Sequence, residues 1–102
     1  MTTNTPSGET PVTVTIHLPT ALRRFSDQQA AIEVSAATVA QALSQATERF
    51  PRLRSQIFAG DQTLRRFINV YVNSRDIRHL EREQTRLSEA DTITLLPAIA
   101  GG

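Results

Sequence analysis

Thr38 to Pro51 reads TVAQALSQATERFP. Val39, Leu43, Ala46 and Phe50 fall at spacings of four, three and four, which lines one face of a helix with apolar side chains. Thr38, followed three residues later by Gln41, has the form of a capping box, in which each side chain serves a main-chain N–H that the first turn leaves unbonded. Pro51 disfavours helical backbone at the residue before it, so the helix is expected to end there.

On both sides of this helix the period changes to two. Toward the N-terminus, Val12, Val14, Ile16 and Leu18 alternate with Thr13, Thr15 and His17, the pattern of a half-buried strand that Pro19 ends. A shorter strand is expected over Ala31 to Val34, and the polar Ser26 to Gln29 connection makes it the hairpin partner of the first. Toward the C-terminus, Arg52 to Gly60 has room for another helical turn, and Asp61 to Arg66 is a polar connection without a clear period. Ile68, Val70 and Val72 then alternate with Asn69, Tyr71 and Asn73 in the most regular strand of the chain. The turn-rich Asn73 to Asp76 closes it, so residues near Ile77 are placed to pair back. A last strand, Thr92 to Leu96, sets Ile93 and Leu95 on one face and Thr92, Thr94 and Leu96 on the other, with Pro97 as its stop. One helix between two groups of strands predicts an α+β fold, a mixed sheet packed on one main helix. Residues 12–97 form that domain, residues 1–11 are expected to be a disordered leader, and residues 98–102 a flexible tail ending in two glycines.

Composition excludes several chemistries. The chain has 102 residues, enough for one domain with a small core. Eleven basic residues face ten acidic ones, and a net charge of +1 supplies no field that would draw nucleic acid or an anionic membrane. All eleven basic residues are arginine, so no side-chain amine is present for Schiff-base or isopeptide chemistry. There is no cysteine, hence no thiolate ligand or thiol nucleophile. No apolar run is long enough to span a bilayer and no secretory pattern opens the chain, which makes the cytoplasm the expected location. His17 and His79 are too isolated for a metal site, and nothing near Glu81 and Glu83 would raise a carboxyl pKa for acid–base work. The pairs Arg23 with Arg24, Arg52 with Arg54 and Arg65 with Arg66 lack interleaved aromatics and read as solvated faces. No catalytic residue and no metal ligand is expected in this chain.

The end of the chain, Gly101-Gly102 after an apolar strand, offers a sterically bare carboxylate to another protein's active site, which points to a carrier rather than an enzyme. From Pro97 onward, six residues at about 3.3 Å each reach roughly 20 Å, far enough to enter a buried site. If Ile93 and Leu95 face the core, Leu96 points outward beside the tail, and Tyr71 joins it if the two strands pair. Such a patch would suit a partner's docking surface.

RFINVYVNSRDIR (Arg66 to Arg78) and ADTITLLPAIAGG (Ala90 to Gly102) resemble the sulfur-carrier family typified by the thiamine sulfur carrier and the small subunit of molybdopterin synthase. The likeness is greatest to the carriers of the CysO type, which serve the O-phosphoserine-dependent cysteine pathway. Where that family usually reads Gly-Asp before the final strand, this chain reads Ala90-Asp91, which implies either a strained alanine or a relaxed turn. The resemblance implies a ubiquitin-like β-grasp fold. It implies that an E1-like enzyme adenylates the Gly102 carboxylate with ATP and that a partner's persulfide turns it into a thiocarboxylate, with Ile99, Ala100 and Gly101 recognised as the tail. The sulfur would go to a cysteine synthase dependent on pyridoxal phosphate, and a zinc metalloprotease of the JAMM type would release the product. ATP, pyridoxal phosphate and zinc would all belong to these partners. Two rival destinations are molybdopterin synthesis, with the synthase large subunit as partner, and thiamine synthesis. A different class, a protein modifier conjugated through Gly102, remains open, as does a plain binding module with an idle tail.

Overall fold

The computed structural model describes residues 10–60, 63–66 and 68–97. Five strands, β1 (Val12–His17), β2 (Ala31–Ala36), β3 (Ile68–Val72), β4 (Arg75–Asp76) and β5 (Thr92–Pro97), form one sheet in the order β2-β1-β5-β3-β4. β5 enters the middle, parallel to β1 and antiparallel to β3, so the sheet is mixed as the element order predicted. Helix α1 (Val39–Arg49) lies on one face, and the alternating apolar residues of the strands meet it there. Val14, Ile16, Ile93 and Leu95 from the sheet and Val39, Ala42, Leu43 and Ala46 from the helix are all fully buried.

The local signals act largely as expected. Thr38 is the N-cap of α1, its Oγ1 accepting from the Gln41 N–H at 3.2 Å. Gln41 reaches back one residue further than a standard capping box, its Oε1 accepting from the Ala37 N–H at 2.9 Å. Phe50 leaves helical geometry at φ −127°, as the residue before a proline must. The turn expected after Pro51 exists as a 3₁₀ segment, Pro51–Leu53, followed by the short helix α2 (Arg54–Ile57), and it buries Leu53 and Ile57 completely.

Several features differ. β1 ends at His17 and β2 runs on to Ala36, two residues beyond the expected Val34, because Ala36 still pairs with Val12. Between them Thr20–Phe25 forms a 3₁₀ helix that buries Leu22, and the chain then reverses through Asp27 and Gln28, both at positive φ. Residues near Ile77 do pair back across β3, as expected: they are Arg75 and Asp76, and Ile77 itself starts a 3₁₀ turn. Pro97, the expected stop, is itself the last residue of β5 and lies opposite Ile68, which suits a residue with no N–H to give.

The β3–β4 turn has Asn73 at φ 52° and Ser74 at φ 81°, the two positive values of a type I′ hairpin, which matches the twist of the strands it joins. Asn73 also ties this turn to the start of β5. Its Oδ1 accepts from the Thr92 N–H at 3.0 Å, and its Nδ2 donates to Asp91 Oδ1 at 2.7 Å. The second Asp91 oxygen accepts from the Ser88 N–H at 2.8 Å. Ala90 stands at φ 71°, so the turn has kept its left-handed geometry and the alanine bears the strain. The segment from Ile77 to Asp91 wraps the N-terminal end of α1, with Val39 N–H donating to Thr85 O at 3.1 Å and Leu87 N–H to Ala37 O at 2.9 Å.

Candidate functional site

The face of the sheet turned away from α1 carries the side chains that alternate with the core residues. The register aligns one row across all five strands: Ala31, His17, Thr94, Tyr71 and Asp76 stand side by side from β2 to β4. Leu96 lies one step further along β5, opposite Asn69 and diagonal to Tyr71, at a spacing of about 7–8 Å that large side chains can bridge. Leu96 is 45% exposed, the single large apolar side chain in that state among the described residues. Tyr71 is half-buried and His17 exposed.

Both docking residues expected from the sequence therefore share one face, and they share it with His17 and Thr94. Alternation with the buried Ile16 places His17, too isolated for a metal site, on this face, but only the β1–β5 register brings it beside Thr94. Leu96 stands directly before Pro97, the last described residue of β5. Ile99, Ala100, Gly101 and Gly102 lie outside the described residues.

The row ends in an ion pair. Arg78 grips Asp76 with two guanidinium nitrogens, Nη2 standing 2.7 Å from Oδ2, and its own N–H donates to Oδ1 at 2.8 Å. Hydrogen bonds from the Arg78 side chain, then from its main chain, pull the Asp76 carboxyl down to about 2, and the carboxylate raises the Arg78 pKa in return. Asp76 is therefore ionised at neutral pH and spent on its partner. It is no candidate acid or base.

Elsewhere several arginines are engaged by their surroundings. Arg23 Nε donates to Leu18 O at 3.2 Å, while Arg52 and Arg54 lie over the rings of Phe25 and Phe58 at 5.5 and 5.6 Å. Among the described residues no group of three or more His, Cys, Asp or Glu side chains gathers as metal ligands would. No helix among them is long and apolar enough to cross a membrane.

The beginning of β5 is the fixed end of the site. Thr15 N–H donates to Asp91 O at 3.1 Å, Ala90 N–H to Thr13 O at 2.9 Å and Asn73 N–H to Thr92 O at 2.9 Å, so β1 and β3 both hold it. The far end, at Leu96 and Pro97, has the outer row beside it.

A model of the ThiS family matches residues 16–102. The sulfur carrier protein CysO of Mycobacterium tuberculosis is 31% identical over 91 residues, covering 87% of this chain and 98% of its own length. The small archaeal modifier protein 1 from Methanosarcina acetivorans superposes with a TM-score of 0.81 at 32% identity, over 90% of this chain and 98% of its own. A chain of the Amycolatopsis orientalis BexX/CysO complex gives a TM-score of 0.79 at 35% identity, over 87% of this chain and 99% of its own.

Proposed function

The chain belongs to the ThiS family and has the ubiquitin-like β-grasp fold, and on that premise we propose that it is a cytoplasmic sulfur carrier loaded at the carboxylate of Gly102. A terminal carboxylate, with a pKa near about 3.5, is ionised at neutral pH and inert toward nucleophiles, so it must be activated first. An E1-like partner joins it to the α-phosphate of ATP and pyrophosphate leaves. A partner's persulfide then displaces AMP, and reduction of the resulting S–S bond by a second thiol leaves the thiocarboxylate. This chain has no thiol, so the sulfur comes from outside. Its own contribution is recognition: Leu96 and Tyr71 dock the outer sheet face, while Ile99, Ala100 and Gly101 thread the partner's channel. ATP, and pyridoxal phosphate and zinc further along, belong to partners.

The observation that carries this reading is the exposed Leu96 on the outer face, immediately before the strand end that leads to Gly102. Its likeness to CysO favours cysteine synthesis as the destination, with a cysteine synthase and a JAMM-type metalloprotease as the later partners. The molybdopterin and thiamine pathways are the rivals within the class, and co-purification with a molybdopterin synthase large subunit would select the first. Intact-mass analysis of chain isolated with its cellular partners tests the reading, by replacement of one terminal oxygen with sulfur. If sulfur-supplying conditions never yield an adenylate, a thiocarboxylate or a conjugate at Gly102, the reading fails. Appending one alanine after Gly102 is expected to abolish activation and leave the fold intact.

A second reading, conjugation of Gly102 to lysines of target proteins, is supported by the likeness to small archaeal modifier protein 1. High-mass conjugates that vanish when Gly102 is deleted would favour it. The chain offers no lysine of its own to extend such a conjugate.

A further inference from the structure

A cleft of about 340 Å³ opens at the β4 side of the sheet, beside the first half of β3. β4 ends at Asp76, so alongside Ile68–Val70 the sheet gives way to this cleft. Four arginines line it: Arg65 and Arg66 from the segment before β3, Arg78 and Arg82 from the turns after β4. Eleven residues of sequence separate the two pairs, and the fold closes them around one opening. Among the described lining residues two carboxylates, Asp76 and Glu83, stand against the four guanidiniums, and Asp76 is already bound to Arg78. Arg65 Nε donates to Ser55 O at 2.6 Å, which fixes its charge at the rim. Arg66 and Arg82 make no ion pair among the described residues. Arg82 holds its place at φ 54°, a left-handed backbone that a residue with a side chain rarely adopts.

We propose that this arginine cleft is a docking site for an acidic, extended segment of a partner protein. Guanidinium forks match carboxylates in geometry as well as charge, and Arg66 and Arg82, set around a concave opening whose other two arginines are held at its edge, suit a run of Asp or Glu better than an isolated ion. The cleft's wall includes Ile68, which lies opposite Pro97 at the end of β5, so a partner that takes the tail has the cleft within reach. The cleft adjoins the outer-face row and shares Asp76 with it. Its occupancy does not depend on any chemistry at Gly102.

The test is an NMR titration of the uniformly ¹⁵N-labelled chain with a capped peptide of alternating Glu and small apolar residues. Its charge-inverted Lys counterpart and inorganic phosphate serve as comparison probes. The acidic peptide is expected to shift the amides of Arg65, Arg66, Ile68 to Val70, Arg78 and Arg82, with an affinity that falls as salt is raised. The double variant Arg66→Gln with Arg82→Gly removes two rim charges and suits the backbone at position 82. It is expected to keep the dispersed spectrum and to bind the peptide about tenfold more weakly, which is near the upper limit for two exposed charge contacts. Equal binding by the variant, shifts confined to Tyr71 and Leu96, or equal binding of the Lys peptide would each overturn the proposal. Phosphate producing the same shifts while the peptide produces none would also overturn it, in favour of a small-oxyanion site.

Discussion

Replacing Ala90 with glycine is expected to stabilise the fold, although glycine is ordinarily the more costly residue. Ala90 is exposed and stands at φ 71°, where the Cβ of an L-residue crowds the following carbonyl. That conformation costs about 1–2 kcal/mol, and the extra freedom of glycine in the unfolded chain returns about 0.4–1 kcal/mol of it. The net gain is about 0.5–1 kcal/mol, or about 2–8 °C in thermal midpoint for a domain of this size. The main-chain bond from Ala90 N–H to Thr13 O at 2.9 Å survives the change, so the turn and the start of β5 stay in place. Urea unfolding monitored by circular dichroism reads it directly, as a midpoint raised by about 0.5 M at unchanged slope. Ala40→Gly, within α1, is the control with the opposite sign, since glycine inside a helix costs about 1 kcal/mol. A lowered midpoint for Ala90→Gly would refute the reasoning, because glycine can lose at that position only if the backbone there is not left-handed.

Three further outcomes are expected. Leu96→Arg should raise the KM for this chain at least fivefold in ATP–pyrophosphate exchange by the E1-like partner proposed above, the least expected of an interface anchor, with little change in thermal midpoint. Asp91→Ala removes the acceptor of the Ser88 N–H and the Asn73 amide and should cost about 1–2 kcal/mol in the same urea experiment. Asp76 has a folded pKa depressed to about 2 from 3.8, so its ion pair adds stability above the unfolded value that is lost as pH falls from about 4 through about 2. Urea midpoints measured across that window should fall less steeply for Asp76→Asn than for the parent.

Periodicity carried most of the fold because most elements bury one face. The alternation in β1, β3 and β5 and the four-three-four spacing of α1 each mark a side turned to a common core. Thr20–Phe25 escaped the same reasoning, since a 3₁₀ turn that buries Leu22 alone has no period to detect. The segment from Ile77 to Asp91 escaped it too. Its order comes from single anchors such as Leu87 and from main-chain bonds to the residues around the α1 cap, none of which leaves a pattern in sequence. At the site, the outward direction of Leu96 and Tyr71 could be read from strand alternation, whereas their adjacency required the β3–β5 register. Arg78 and Arg82 gave no hint that they would meet Arg65 and Arg66, because that meeting depends on where β4 stops.

The arrangement explains how a chain without a thiol, a lysine or a metal-ligand cluster among its described residues can take part in group transfer. Under the carrier reading proposed above, a group on Gly102 has to reach a partner's active site with few degrees of freedom, and a strand in the middle of a sheet is a stiff mount. β5 has hydrogen-bonded neighbours on both sides over its first half, and three contacts from Asn73 and Asp91 secure its start. Its last pairs, Asn69 with Leu96 and Ile68 with Pro97, are to β3 alone. The change from two neighbours to one falls at the positions where Leu96 becomes exposed and where the arginine cleft begins on the other side of β3. A partner that approaches this corner meets an apolar anchor, a cationic cleft and the departing chain together. Docking at either surface would then position the tail without any movement of the core.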